Sequence, residues 1–574
     1  TGSLFREFAF TLAGAVIVSG VVALTLSPMM GSKMLRAGDM ERGFAGWINR
    51  RFDALRARYT RLVSGTLDYR PVVITLWVII IALIVPFYMF SNKELAPMED
   101  QGFIFGIIQG AANSTIDQTK LFADQVDDAY RSIPEAQSTF QVIFPNFGFS
   151  GMITKAWDDR SRSIQEIQMD VSGKTAAIPG IRSIQMIPPA LPSGGEGFPV
   201  EFVLLSTEEP ARLAEVANQL VGKAFQSGKF MFADTDLKFD QPQAKVVFNR
   251  DKLRSQGVDL AQAGRDLSTL VGGNYVNRFS IQGRSYKVIP QVKRSDRLTP
   301  EQLGDMYVTG PNGKLVPLST FATLETSTGP RDLKRFQQLN AVRIQGVILP
   351  GVSLDEGLKF LETEARKIMP RGYTFDYAGE SRQLRIEGSR FLGTFLLSAI
   401  LIYLVLAAQF ESFRDPFIIL AGSVPLALSG ALFFSFFGFT SINIYSQVGL
   451  ITLIGLVSRN GILITEFANH LQEHGKDKRS AVIEAAGTRL RPILMTTAAT
   501  VVGHLPLVFA KGAGAGARNS IGIMLVTGMI IGTAFTLFIV PSIYMLVART
   551  HRGDEAETQE ETTDETGEME PAPV

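Results

Sequence analysis

Seven stretches of about twenty apolar residues constrain this chain more than anything else in it. A hydrocarbon layer offers no partner to an unpaired backbone N–H or C=O, so a segment that crosses it must be a helix of roughly that length. The stretches run near Phe8–Met30, Pro71–Phe90, Phe391–Phe410, Pro416–Phe439, Ile442–Ala468, Pro492–Ala510 and Ile521–Val547. Pro425, Gly455, Pro506 and Gly528 fall inside them, as packed membrane helices tolerate. Charged residues make up 19% of the chain, against about 25% in ordinary soluble domains, so composition points the same way. Between the second and third stretches lie about 300 residues, roughly Ser91–Arg390, that read as ordinary soluble sequence.

Orientation follows from the bases that flank the spans. Pro28–Arg70 holds nine Lys/Arg against four Asp/Glu, and Asn469–Arg491 holds five bases. The opposite connections are poorer, with none in Thr440–Ser441 and two in Lys511–Asn519. The basic side is therefore expected in the cytoplasm and the long insert outside, which is the periplasm if the organism is Gram-negative. The tail from Gly553 carries nine acids and no base, a composition that cannot bury a core and is expected to be disordered. The chain starts at Thr1, almost directly on an apolar stretch, and reads as a piece or half of a longer polypeptide.

Several functions are excluded early. Lys+Arg (56) and Asp+Glu (55) cancel, which is not the balance of a general nucleic-acid binder. Cysteine is absent, removing disulfides, thiolate zinc sites and cysteine nucleophiles, and the four histidines form no HExxH pair. Gly173-Lys174-Thr175 lacks the earlier glycine of a phosphate loop, with Gln168 in its place. Gly512-Ala513-Gly514-Ala515-Gly516-Ala517 follows no strand and is read as a turn between two membrane helices. No Ser/His/Asp arrangement stands out. The expectation is a protein that is no enzyme and needs no cofactor.

Between the first two spans, Phe44, Trp47, Ile48, Phe52, Leu55, Tyr59 and Leu62 recur at steps of mostly three and four, with Arg50, Arg51, Arg56, Arg58 and Arg61 between them. That is a basic amphipathic helix, lying along the inner leaflet or packed on other cytoplasmic segments. In the insert, strand and helix patterns alternate: Gly102–Gln109, Ile116–Ile133, Ser138–Phe144, Arg162–Ala177 and Ile181–Ile187. This predicts a ferredoxin-like split unit with one strand unlocated. A second such unit begins at Val200–Ser206 and Pro210–Phe225 and resumes with Val342–Leu349, Leu354–Ile368 and Tyr373–Ala378. The intervening Gln243–Lys334, rich in turns such as Gly310-Pro311-Asn312-Gly313, reads as an inserted subdomain.

Two features bear on function. Phe140, Phe144, Phe147 and Phe149 cluster around a Gly-punctuated run that is read as a loop rather than a regular strand throughout. It is either an adaptable apolar surface for greasy ligands or core Phe at a strand's end. The other is Arg459, near the middle of the Ile442–Ala468 span. A base there costs at least about 2.5–3.5 kcal/mol unless a carboxylate or water meets it, so it marks a functional site. No Asp or Glu stands mid-span elsewhere, and Glu466 is two turns away, so the counter-ion is expected outside this chain. Asn460 extends the polar group. Arg489 and Thr496, seven apart, share a helix face pointing toward Arg459, or are a membrane-edge anchor and a packing hydroxyl. His504 reads as an inert, hydrogen-bonded histidine.

Six runs in fixed order then carry a resemblance. They are Leu95-Ala-Pro-Met-Glu-Asp-Gln-Gly102, Asn146-Phe-Gly-Phe-Ser-Gly151, Gly272-Gly-Asn-Tyr-Val-Asn277, Ala407-Ala-Gln-Phe-Glu-Ser412, Gly455-Leu-Val-Ser-Arg-Asn-Gly-Ile-Leu-Ile-Thr-Glu-Phe467 and Leu490-Arg-Pro-Ile-Leu-Met-Thr496. In these the chain resembles the C-terminal half of resistance–nodulation–division multidrug exporters of the acriflavine-resistance, hydrophobe/amphiphile type, over all but its acidic tail. The resemblance implies an α-helical membrane bundle, seven spans here, carrying periplasmic α+β ferredoxin-like porter subdomains with an inserted docking subdomain. On that template 1–30 is the last membrane helix of the first half, 31–70 a cytoplasmic amphipathic connection and 71–91 the next span. Residues 92–198 form one porter subdomain, 199–242 with 335–382 the second, and 243–334 the docking subdomain. Five membrane helices fill 391–548 and the tail is 549–574.

The implied activity is drug/proton antiport in the Gram-negative inner membrane. It would be performed by a homotrimer, with a periplasmic adaptor, an outer-membrane exit duct and a missing N-terminal half as partners, and small amphiphilic drugs and protons as cargo. Arg459 falls where the family has a lysine, Arg489 at its arginine and Thr496 at its threonine; with Asn460 they would serve a proton relay around an aspartate pair of the absent half. Phe147 and Phe149 would sit on the loop dividing the drug pockets, and Phe140 in the aromatic pocket. The chain departs from the family in having Arg for Lys at 459, about two extra residues between Phe140 and Phe147, and Met152 where a base is common. Relatives with another cargo (lipids, metal ions) and protein-export accessories are the competing readings. Metal export would call for methionine ladders or acids within the spans, and none is seen.

Overall fold

The computed structural model describes residues 2–34 and 43–550, so the acidic tail beyond 550 and residues 35–42 of the connection lie outside the described part. Helix α1 (Gly2–Met34) is apolar over most of its length and, from Arg6 on, largely exposed. The basic helix α2 (Gly43–Asp68) is followed at once by α3 (Arg70–Phe90), with Pro71 in its first turn, where a missing N–H costs nothing.

The extramembrane part then opens with a β-α-β-β-α-β succession: β1 (Phe103–Gly110), α4 (Ile116–Arg131), β2 (Ala136–Ile143), β3 (Phe147–Thr154), α5 (Ile164–Ala176) and β4 (Ile181–Met186). Its sheet is antiparallel in the order β2-β3-β1-β4. Thr115 caps α4, and Ser163 with Glu166 forms a capping box on α5, so each helix start is fixed by its own sequence. Ile104, Ile108 and Met152 on one sheet face meet Val126, Tyr130, Ile164 and Ile167 from the two helices.

The unlocated strand is β3, and it takes up the Phe/Gly run that composition had marked as a loop. The reason is steric. A Cβ on Gly151 would lie 2.2 Å from Phe140 Cε1, and one on Gly148 would lie 3.0 Å from the Val142 carbonyl oxygen. These glycines make room for cross-strand neighbours rather than breaking the strand. The turn is shorter than expected and sits at Phe144–Phe147, where the Phe144 N–H donates to the Phe147 carbonyl at 2.8 Å.

A second unit repeats the pattern with β5 (Val200–Ser206), α6 (Pro210–Gln226) and β6 (Phe230–Thr235). Its course is interrupted by β7 (Gln241–Phe248), α7 (Arg250–Ser255), α8 (Leu260–Val271), the hairpin β8 (Asn277–Ile281) and β9 (Arg284–Val288), the pair β10 (Tyr307–Thr309) and β11 (Leu315–Pro317), and β12 (Ala322–Gly329). Strands β7 and β12 pair antiparallel and close the interruption on itself. The unit resumes with β13 (Lys334–Phe336), β14 (Leu339–Ile348), α9 (Leu354–Ile368) and β15 (Thr374–Tyr377). Its sheet runs β15-β5-β14-β6, with β13 hairpinned onto β14, the strand order of the first unit again.

From β15 the chain enters α10 (Gly379–Phe410), one helix that begins in the extramembrane part and continues through the apolar stretch. Its start is pinned. Ser381 Oγ donates to the Pro199 carbonyl and accepts from the Glu201 N–H, while Arg385 pairs with Asp355 and Glu362 at α9. The bundle is completed by α11 (Arg414–Phe436), α12 (Ile444–Glu473), α13 (Lys478–Val508) and α14 (Ala515–Val547). Helix α14 packs against α11, α12 and α13, and small residues bring the backbones close: a Cβ on Gly532 would lie 2.7 Å from the Ala427 methyl.

Among the described residues six helices are long and apolar enough to cross a membrane, where the sequence led us to expect seven. The stretch Pro492–Ala510, all but its last two residues, lies in α13 (Lys478–Val508), which falls short because Thr496, Thr497, Thr500, His504 and two prolines dilute it. Helix α2 does not simply lie on a surface. Tyr59, Val63 and Leu67 are buried against the bundle, with the Tyr59 hydroxyl donating to the Leu537 carbonyl at 2.7 Å, while Trp47, Leu55 and Leu62 stay exposed beside the arginines.

Candidate functional site

Helix α12 starts at a strong signal. Asn443, fully buried, accepts from the Tyr445 and Ser446 N–H groups, and Ser446 answers with a bond to the Asn443 N–H. The helix then runs unbroken, and Arg459 falls midway along it, half-buried. Its Nε and Nη2 have no hydrogen-bond partner, and it makes no ion pair among the described residues. Glu466, two turns on, is exposed. A guanidinium that presents donors to nothing at such a place is costly, and it is the clearest sign of function in the bundle.

Beside it Asn460 is fully buried and donates through Nδ2 to Thr533 Oγ1 at 3.0 Å, and Thr533 Oγ1 lies 3.2 Å from Thr497 Oγ1. One polar chain thus ties α12, α14 and α13 together, and Asn460 Oδ1 at its end has no partner. Thr496 is not in that chain: its hydroxyl bonds back to the Pro492 and Ile493 carbonyls of its own helix. Thr497 and Thr533 are the hydroxyls that sequence reasoning missed. Adjacent positions on a helix differ by about 100°, and only the packing of α14 decides which of two neighbouring threonines faces inward. Arg489 lies over the Phe467 ring at 4.6 Å, with its Nε unpartnered, and makes no hydrogen bond to Arg459 or Thr496. His504 Nδ1 is bonded to the Thr500 carbonyl within its own helix.

The second group lies on the first extramembrane sheet. Antiparallel pairing puts directly opposed residues on the same face, and Phe149 opposes Ile107 and Val142 while Gly151 opposes Phe105 and Phe140. Phe140, Phe147 and Phe149 therefore share the face away from α4 and α5. Phe144 and Phe147 stack at 4.4 Å, Phe149 meets both edge-on, and Phe105 stacks on Phe149 at 5.7 Å. Phe198 and Phe232 of the second unit cover part of this face.

What remains open is a cleft of about 900 Å³ between the two units. Phe147, Phe149, Ile107 and Phe198 make up an apolar part of its lining, and Arg182, Asp234, Lys238, Asp240 and Arg331 a charged part. Phe140 stands apart, stacked on Phe103 and 42% exposed, and does not line this cleft. The polar wall is largely self-neutralised: Arg182 pairs with Asp234 at 2.6 Å and Arg331 grips Asp240 with two bonds of 2.6 Å. Apolar lining beside paired charges suits a molecule with a greasy body and a polar end. Among the described residues no group of His, Asp and Glu could hold a metal ion.

Comparison with known proteins adds a third line. Residues 1–548 match the AcrB/AcrD/AcrF family. A Haemophilus influenzae protein described as an uncharacterized transporter is 40% identical, over 96% of this chain and 54% of its own length. The multidrug export protein AcrF of Escherichia coli is 32% identical, over 96% of this chain and 55% of its own. The toluene efflux pump membrane transporter TtgB of Pseudomonas putida is 33% identical, over 97% and 55%. The chain spans about half the length of the curated relatives it matches.

Proposed function

This chain belongs to the AcrB/AcrD/AcrF family of resistance–nodulation–division multidrug efflux transporters, and on that premise we propose that it is part of an inner-membrane drug/proton antiporter expelling amphiphilic compounds. The observation that carries this reading is the unpartnered guanidinium midway along α12. Its partner would be a carboxylate pair in the remainder of the protein. Arginine holds a carboxylate in two parallel hydrogen bonds and does not release its own proton. The titrating groups would then be the acids: an ionised acid pairs with Arg459, and a protonated one lets it go. Moving one charge through 100 mV yields about 2.3 kcal/mol, and each pH unit about 1.36 kcal/mol, enough to shift a bundle between two packings. Asn460, Thr533 and Thr497 would hold α12, α14 and α13 in register around that exchange, with Arg489 at the cytoplasmic rim.

On this reading α13 is the seventh span, its polar residues tolerated because they face the relay. The two β-α-β-β-α-β units are ferredoxin-like porter subdomains in the periplasm, and the segment closed by β7 and β12 is the docking subdomain. Phe147 and Phe149 receive cargo in the cleft, with Phe140 on an adjoining part of the same sheet face. Support comes from relatives whose names state multidrug export and toluene efflux. Assembly would be a homotrimer with an adaptor and an outer-membrane duct, and no cofactor would be needed.

The test is Arg459→Ala in the complete protein. Export is expected to vanish while protein level and assembly hold. Undiminished export overturns the relay.

A further inference from the structure

Two sequence runs that the relay and the cleft leave unused meet at the membrane boundary. The first is Leu95–Gly102, the strap between α3 and β1; the second is the Gly/Ala turn before α14. The strap starts as a short parallel pairing with the residues ahead of α12. The Ile442 N–H donates to the Asn92 carbonyl at 2.8 Å, the Glu94 N–H to Ile442 at 3.2 Å, and the Ile444 N–H to Leu95 at 3.2 Å. It then crosses the first turn of α14. Glu99, 8% exposed, accepts from the Ala517 N–H at 2.7 Å. A Cβ on Gly516 would lie 3.1 Å from Glu99 Oε1 and 3.1 Å from Pro97, so the glycine is what lets the strap seat there. The very next residue faces the other way. Asp100, 7% exposed, takes the Arg160 guanidinium and the Ile164 N–H at 2.9 Å, at the first turn of α5, and the Trp157 indole donates to its carbonyl.

Two adjacent carboxylates thus close the open N-terminal ends of two helices in different parts of the molecule, one in the bundle and one in the unit that carries Phe147 and Phe149. A carboxylate is favoured at each, because the first-turn N–H groups have no partner within their own helices and carry the positive end of the helix dipole. Given the transport reading, on which this rests, we propose that Glu99 and Asp100 are positioning residues for transport: a two-headed clamp that makes the first extramembrane unit follow α14 when the bundle changes packing. The Gly512–Ala517 turn is the socket for that clamp.

Two substitutions cut the clamp from opposite sides. Glu99→Ala removes the acceptor. Ala517→Pro removes the donor and leaves Glu99 in place, at a first-turn position where the N–H bonds nothing within its own helix. In the complete transporter in proteoliposomes, each is expected to lower maximal drug-stimulated proton flux at least tenfold with the KM for drug unchanged. Glu99→Gln, which keeps an acceptor oxygen, is expected to retain most of the flux. This chain has no cysteine, so with any cysteine in the remainder of the protein replaced by serine, Met169→Cys on α5 and Lys511→Cys beside α14, both exposed, take a spin-label pair. The distance distribution between labels should be narrow in the parent and in Glu99→Gln, and at least twofold broader in Glu99→Ala and Ala517→Pro. Unchanged widths in those two overturn the clamp, and so does a loss of drug affinity in step with flux. Undiminished flux in Arg459→Ala sinks the relay reading instead, and the label widths still judge the clamp.

Discussion

In the first extramembrane unit the guanidiniums of Arg160 and Arg162 both end on carboxylates: Asp100 for the one, Glu135 and Asp170 for the other. In α12 the guanidinium of Arg459 ends on nothing among the described residues. These two arginines find their partners at most 60 residues away in the chain, and their energetics are those of a finished structure. The bundle holds a charge whose energetics are open. On the proposed relay, that difference separates an ion that holds a fold in shape from an ion kept for an exchange.

The largest expected effect breaks the finished side. Arg160→Met strips Asp100 of its buried partner and should cost about 3–5 kcal/mol of unfolding free energy, read by denaturant titration. Replacing Arg459 by Met in this chain should leave stability unchanged or raised, since it removes an unmatched charge. In the complete transporter the same change should cut transport roughly 100-fold, the equivalent of about 3 kcal/mol, whereas Arg459→Lys keeps a charge and should hold transport within tenfold. Equal stability losses in the two arginine variants would erase the contrast.

Acid sharpens it further. The Arg162 hydrogen bonds hold the Glu135 carboxyl below its ordinary 4.5. The folded form therefore binds fewer protons there than the unfolded chain does. The stability this contributes is complete above that ordinary value and drains away as pH falls through the lower, folded one. With both groups partly solvated, about 1 kcal/mol is at stake, and Glu135→Gln should flatten the stability profile below pH ~4.5. Phe147→Ala, which unstacks Phe144 at the cleft, should weaken binding of aromatic cargo by about 1 kcal/mol in a fluorescence titration and alter the spectrum of compounds exported; identical resistance to every compound tested would count against the cleft. The smallest effect is on the exposed pair Lys120–Asp124, 2.7 Å apart on α4, where Lys120→Ala should cost no more than about 0.5 kcal/mol.

Much of this was legible because period and length are local properties. The apolar stretches give the helices α3, α10, α11, α12 and α14, and the strand–helix alternation gives both extramembrane units apart from one strand in each. Those strands were hidden for different reasons. In β3 the glycines looked like punctuation, and only the Phe140 ring across the sheet shows that they are seats. In β6 the six residues Phe230–Thr235 follow α6 after a bare three-residue connection and then run into the interrupting segment, which masks their partner β14, more than a hundred residues away. At the site, Arg459 and Asn460 were legible because charge and amide in an apolar run announce themselves. Thr497 and Thr533 were not, since a hydroxyl in a membrane helix bonds its own backbone unless a neighbour arrives.

Helix α10 has a mechanical corollary. Its thirty-two residues make a shaft of about 48 Å, pinned at one end through Ser381 to β5 and through Arg385 to α9, and apolar toward the other. A stiff rod so held is a lever arm, and a tilt of only about 5° at its foot sweeps its head through roughly 4 Å. A displacement of that size exceeds the length of a hydrogen bond. Small reorientations among the spans must then reach the floor of the second unit as shear, without any hinge to absorb them on the way.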